Sequence, residues 1–159
     1  MSSSHTSIEV RLITLGDSHV GKSSIIIRFT ENEFSSNYMS TVGFDLKYKI
    51  MKIKDEEVKI MIYDTAGQER FRSLATNYLK KADGILLVYD ISERQSFENI
   101  GKWMNNIVEE TDKKVPIILV GNKSDLEQRR TVKKEEGVDL AKSYNILFYE
   151  TNCVKGENI

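Results

Sequence analysis

Gly16-Asp-Ser-His-Val-Gly-Lys-Ser23 is the stretch on which the fold turns. It matches the pattern GxxxxGK[ST], and its flanks give that pattern meaning. Ile8 to Leu15, before it, is a run of strand length rich in apolar residues. Ile25, Ile26, Ile27 and Phe29, after it, supply the buried side of a helix. A strand feeding a tight turn and then a helix aims successive backbone amides at a phosphate, with the positive end of the helix dipole behind them. Glycines at 16 and 21 let the chain turn sharply and approach a ligand closely. Ser18, His19, Val20, Gly21, Lys22, Ser23 and Ser24 are therefore candidate nucleotide contacts. Lys22 would place an ammonium on the terminal phosphates, and Ser23 would offer its hydroxyl to magnesium.

Outward from that loop, the polar stretch Thr30 to Ser40 reads as a connection. Phe44, Leu46, Tyr48 and Ile50 alternate with polar residues, as do Val58, Ile60 and Ile62, and the acidic turn at Asp55 and Glu56 joins the two runs into a hairpin. Ile85 to Tyr89 and Ile117 to Val120 are short, wholly apolar runs of the kind that parallel strands buried on both faces require. Between them Phe97, Ile100, Trp103, Met104, Ile107 and Val108 recur at helical spacing, which reads Trp103 as core and not as a ligand platform. Pro116, the only proline, sits at a strand entrance where its missing donor costs little. Val138, Leu140, Ala141 and Tyr144 predict a last helix, and Ile146 to Tyr149 a last strand. Six strands alternating with helices predict an α/β fold: a mostly parallel sheet with one antiparallel hairpin strand and helices on both faces. Ligands bind such sheets at the carboxyl ends of the strands.

Composition narrows the class. A chain of 159 residues, 40% hydrophobic and 30% charged, predicts one packed domain over residues 8–159, with residues 1–7 a disordered polar tail. The formal net charge of -1 provides no global field toward nucleic acid or anionic lipid. A single cysteine, Cys153, excludes an internal disulfide and a cysteine metal cluster, and fits a cytoplasmic location. Neither a membrane-length apolar run, nor a secretory signal, nor a lipidation motif is present in these residues.

Two further loops carry chemistry. Asp64-Thr-Ala-Gly67 follows the second hairpin strand, putting a carboxylate where it can hold the magnesium shell of a phosphate-loop nucleotide, with the Gly67 amide near a terminal phosphate. Asn122-Lys-Ser-Asp125 follows the strand Ile117 to Val120. There a carboxylate can accept the adjacent N1–H and N2–H donors of guanine, whereas adenine would turn a lone pair toward it. Leaving a charge so opposed is costly, so Asp125 selects guanine over adenine.

With these loops in order, the chain resembles the Ras superfamily of small GTPases, and within it the Rab branch most. The resemblance runs from Ile8 to Ile159 and rests on GDSHVGKS at 16, Thr41-Val-Gly-Phe-Asp45, DTAGQERF at 64, Leu87-Val-Tyr-Asp90, GNKSD at 121 and Glu150-Thr-Asn-Cys153. It implies a P-loop NTPase three-layer sandwich that binds GTP or GDP with Mg2+ and hydrolyses GTP slowly as a molecular switch in vesicle and protein transport. By resemblance, Ser23, Thr41 and Asp64 form the metal set, Gln68 is the catalytic residue that orients the attacking water, and Phe34 and Lys123 flank the base. Tyr38, Gly67, Asn122, Asn152, Cys153 and Val154 complete the nucleotide contacts. An exchange factor, a GTPase-activating protein and effectors are the implied partners, the effectors reading a surface of Leu46, Tyr63 and Tyr78. No arginine is placed to complete hydrolysis, which leaves that role to the activating protein.

The chain departs from the family in three places. Asn152-Cys153-Val154 stands where the family has Ser-Ala-Lys, and Cys153 reads as a packing residue, the alternative being an oxidisable thiol beside the base. His19 replaces a small residue and reads as solvated. Relatives continue beyond Asn158-Ile159 with a final helix and a lipidated tail, so the expectation is a chain shortened before that helix, or one whose remainder covers the exposed sheet face; membranes would be reached only through that tail. Lys80-Lys81, Arg129-Arg130 and Lys133-Lys134 read as solvated faces. Two alternatives to the switch stay open: a nucleotide-binding scaffold with little or no turnover, and an ATP-dependent enzyme sharing only the phosphate loop.

Overall fold

The alternation of short apolar runs with amphipathic ones folds into a six-stranded sheet in the computed structural model, which describes residues 8–37, 44–65, 72–111 and 114–159. In chain order the elements are β1 (Ile8–Leu15), α1 (Lys22–Glu31), β2 (Phe44–Ile53), β3 (Glu56–Thr65), α2 (Arg72–Leu79), β4 (Gly84–Asp90), α3 (Arg94–Glu98), α4 (Ile100–Glu110), β5 (Ile117–Asn122), α5 (Lys134–Tyr144) and β6 (Leu147–Thr151). Across the sheet the strands run β2-β3-β1-β4-β5-β6. Among the described strands only β2 and β3 pair antiparallel, from Phe44 opposite Thr65 to Ile53 opposite Glu56. Lys54 and Asp55 close that hairpin with positive φ angles of 48° and 69°, the backbone of a two-residue turn whose twist suits the strands.

Period-two alternation in β4 divides the core. Ile85, Leu87 and Tyr89 join Ile13, Leu15, Ile100, Met104, Ile107, Leu119 and Ala141 on the face covered by α4 and α5. Leu86 and Val88 turn the other way, toward Val20, Ile25, Val120 and Cys153 on the α1 face. Burial of β4 on both sides is what its unbroken apolar run demanded. On the α1 face an apolar groove of about 320 Å³ lies between Leu12, Ile25, Phe29, Leu86, Ile118 and Tyr149.

Three local expectations change. The apolar stripe from Phe97 to Val108 is divided between two helices that meet at Asn99, which keeps a right-handed backbone, with its N–H bonded back to Gln95 and its carbonyl accepting from Lys102 and Trp103. α1 extends through Glu31, two residues into the stretch read as loop, and ends where Asn32 adopts a left-handed φ of 56°. Arg130 is not a solvated cation: its side chain is only 15% exposed, forked between Glu150 at 2.7 Å and Glu127 at 2.7 Å.

Candidate nucleotide site

The carboxyl ends of β1, β3, β4, β5 and β6 share one rim, and the sequence puts a chemistry-bearing loop after four of them. The phosphate loop leaves β1 through Gly16, whose φ of 138° and 2.1 Å clearance from the Val88 carbonyl to any added Cβ leave no room for a side chain. At its far end Gly21 has φ 95°, and a Cβ there would fall 2.3 Å from Asn122 Nδ2. The N-terminus of α1 begins one residue later, at Lys22. Lys22 is buried, and its ammonium donates to the carbonyls of Gly16 at 3.0 Å and Asp17 at 2.7 Å. Burial lowers its pKa to about 8, a shift that the carboxylates of Asp64 and Asp17 partly oppose.

β3 delivers Asp64 to the same place. Thr65 Oγ1 donates to the Thr14 carbonyl at 2.6 Å and Thr14 Oγ1 to the Tyr63 carbonyl at 3.2 Å, which stitches the ends of β1 and β3 together. Asp64, buried, then accepts a hydrogen bond from the Ser23 hydroxyl. The two residues read as metal partners thus meet, and both offer oxygen, the donor that magnesium takes.

β5 delivers the base-reading loop. Asn122, 1% exposed, donates through Nδ2 to the Val20 carbonyl at 2.9 Å and accepts at Oδ1 from Thr151 Oγ1 at 2.9 Å. Lys123 takes a left-handed φ of 65° and sends its ammonium to the His19 carbonyl at 2.7 Å and to Asp90 at 2.6 Å. Asp125 stands exposed beyond them. From β6, Cys153 Sγ reaches Asn122 Oδ1 at 3.5 Å, and burial pushes the thiol up to about 11. Asn152 is buried in the turn that follows β6: its Oδ1 accepts from the Lys155 amide and its Nδ2 donates to Glu157.

Ser18 and Ser24 are half-buried, Val20 is buried, and the His19 backbone has φ 67° with the side chain exposed. Val154 is 49% exposed and Phe34 41% exposed. Tyr38, Thr41, Gly67 and Gln68 lie outside the described residues. Sequence reasoning missed Asp17, whose carboxylate accepts from Trp103 Nε1 at 2.9 Å and Asn99 Nδ2 at 2.7 Å, and Asp90, which holds Lys123. It also missed Phe44, whose ring stacks on Tyr78 with centroids 4.2 Å apart and on Tyr63 at 5.3 Å, beside the exposed Leu46.

A phosphate loop between β1 and α1, with an acidic strand end and an Asn-Lys-x-Asp loop on the same rim, defines a P-loop nucleotide-binding α/β protein. The Ras family model matches residues 11–159, and the chain belongs to that family. It is 44% identical over 149 residues to the Ras-related protein Rab-13 of Canis lupus familiaris, covering 94% of this chain and 73% of that one. To the Ras-related protein Rab-15 of Homo sapiens it is 46% identical over 149 residues, covering 94% and 70%. The chain is a Rab-like small GTPase. Such proteins bind GTP and GDP with Mg2+, hydrolyse GTP to GDP and phosphate, and are regulated by exchange factors, activating proteins and effectors.

Proposed function

We propose that this chain is a trafficking switch in which a single guanine nucleotide spans the rim from Lys22 to Asp125, and that it hydrolyses GTP slowly by itself. The observation that carries the reading is the pair of bonds joining the phosphate loop to the base-reading loop, Asn122 to Val20 and Lys123 to His19. Because they tie the two loops into one unit, base recognition by Asp125 and phosphate recognition by Lys22 act on one ligand.

Residue by residue, the loop amides from Ser18 to Ser24 cradle the phosphates. Two of the three N–H groups of Lys22 donate to loop carbonyls, which points the third at the phosphate oxygens. Ser23 and Asp64 fit the metal, Ser23 directly and Asp64 through water, together with Thr41 when the third phosphate is present. Among the described residues no cluster of three His, Cys, Asp or Glu side chains is placed for a metal, so the remaining oxygens would come from phosphate and water. Magnesium supplies charge neutralisation there. Gln68 orients the attacking water, and an arginine from an activating partner accelerates the step on the order of 10³ to 10⁵. Hydrolysis removes the phosphate for which Thr41 and Gly67 reach, and so releases both loops.

The partner surface is aromatic. Leu46, Tyr63 and Tyr78 lie together with Phe44, which supplies a ring where Leu46 is aliphatic, and effectors would read this patch. No described helix is long and apolar enough to cross a bilayer. Single-turnover phosphate release from GTP tests the reading. A slow release that Gln68→Leu abolishes supports it, and no release from the unaltered protein would favour a scaffold without turnover.

A further inference from the structure

We propose that Asp17 is a positioning residue that clamps the phosphate loop to α4, with Trp103 and Asn99 as its jaws; the proposal rests on the guanine-nucleotide reading of the site. An acidic side chain inside a loop that receives a polyphosphate is unfavourable unless it is turned away and held. Here it is both. One carboxylate oxygen accepts from the indole N–H of Trp103 at 2.9 Å and the other from the Asn99 amide at 2.7 Å. The contacts span 86 and 82 positions of sequence, so they fix the loop against a separate element and not against itself.

The same residue's backbone acts on the ligand side. The Asp17 carbonyl accepts from the Lys22 ammonium at 2.7 Å, closer than the 3.0 Å contact to Gly16. A chain of bonds thus runs from Trp103 and Asn99 through the Asp17 carboxylate and carbonyl to the cation that meets the phosphates. Trp103 is half-buried, its ring packed on the core and its N–H spent on the loop. Tryptophan and not phenylalanine is needed because only the indole body carries a donor at its edge. Losing the clamp frees a carboxylate to swing toward the phosphates and lets the Lys22 ammonium wander, and both effects speed nucleotide release.

The test uses the whole chain loaded with N-methylanthraniloyl-GDP and Mg2+, chased with unlabelled GDP. Asp17→Ala and Trp103→Phe are each expected to speed release about tenfold, equivalent to about 1.4 kcal/mol. The double variant should be no faster than the faster single one, because both remove one interaction. Asp17→Asn should stay within about threefold of the unaltered protein, since it keeps one acceptor for the indole and Asn99 can turn its own oxygen to the new amide. If Asp17→Ala does not fold, Trp103→Phe against Asp17→Asn carries the comparison. Release within about twofold of the unaltered rate in the single variants, additive effects in the double one, or Asn no better than Ala would overturn the clamp. Failure of the unaltered protein to take up the labelled GDP would sink the guanine-nucleotide reading, and the clamp with it.

Discussion

Asn122 donates its side-chain amide to the carbonyl of Val20 at 2.9 Å, although the two are 102 positions apart. This bond is where the base-reading loop and the phosphate loop become one structure. Asn122 is engaged at both ends of its amide, with Oδ1 taken by Thr151 and near Cys153, and it is buried. Asn122→Ala would leave the Val20 carbonyl and the Thr151 hydroxyl buried without their partner, at about 1–3 kcal/mol. In a domain of this size thermal denaturation should show a loss of roughly 2–4 °C per kcal/mol. GDP release should also accelerate, because neither loop then holds the other.

Gly21→Ala should abolish nucleotide binding while the sheet survives. The new Cβ would lie 2.3 Å from Asn122 Nδ2 at a φ of 95°, so both the backbone and the same amide are strained. Circular dichroism close to that of the unaltered protein, with no retention of labelled GDP, is the expected pair of results.

The pH dependence of the unliganded protein follows from Lys22. Its pKa in the folded state is lowered to about 8 from 10.5, so between those values the unfolded chain binds the proton and the folded chain does not. Stability from this group therefore rises as pH climbs from about 8 toward 10.5, and below about 8 the cost of the buried charge is fully present. Phosphate recognition runs the other way, since only the protonated amine attracts the anion. Denaturant titrations should show Lys22→Met removing that rise, and GDP affinity of the unaltered protein should weaken above about pH 8.

Arg130→Ala should cost about 2 kcal/mol, because Glu150, whose side chain is 11% exposed, would be left without its cation. Arg130→Lys should recover only part of this, since a point charge cannot fork to Glu127 and Glu150 together. Urea unfolding midpoints of the two variants check both statements.

Cys153 should alkylate slowly. Burial raises its thiol to about 11, so almost no thiolate exists at neutral pH. Mass spectrometry after iodoacetamide treatment at pH 7.5 should find the native protein mostly unmodified and the denatured protein labelled, which separates the packing role from the oxidisable one.

The fold was legible because its strands announce themselves locally. Ile85 to Tyr89 is apolar at every position and lies between two parallel neighbours, and the Phe44 to Ile50 alternation sets the hairpin. The phosphate loop was legible for the same reason, since strand, glycine turn and helix are contiguous. What escaped notice is long-range polar pairing. Nothing near Arg130 in the chain says that Glu150 waits for it, and nothing in the helical stripe around Trp103 says that its N–H points at Asp17. The break at Asn99 escaped because Phe97 and Ile100 keep helical spacing across it. Asn152 is a nucleotide contact by resemblance alone, and no signal in the sequence says that its side-chain amide also builds the turn to Glu157.

The most direct measurement is competition for bound N-methylanthraniloyl-GDP by GDP and by ADP, on the unaltered chain and on Asp125→Ala. If one nucleotide spans Lys22 and Asp125, GDP should displace the label at least about 10³-fold more effectively than ADP, as expected when a buried donor pair meets its acceptor. Asp125→Ala should erase most of that preference. ADP competing within about tenfold of GDP on the unaltered chain would contradict the guanine site and with it the switch.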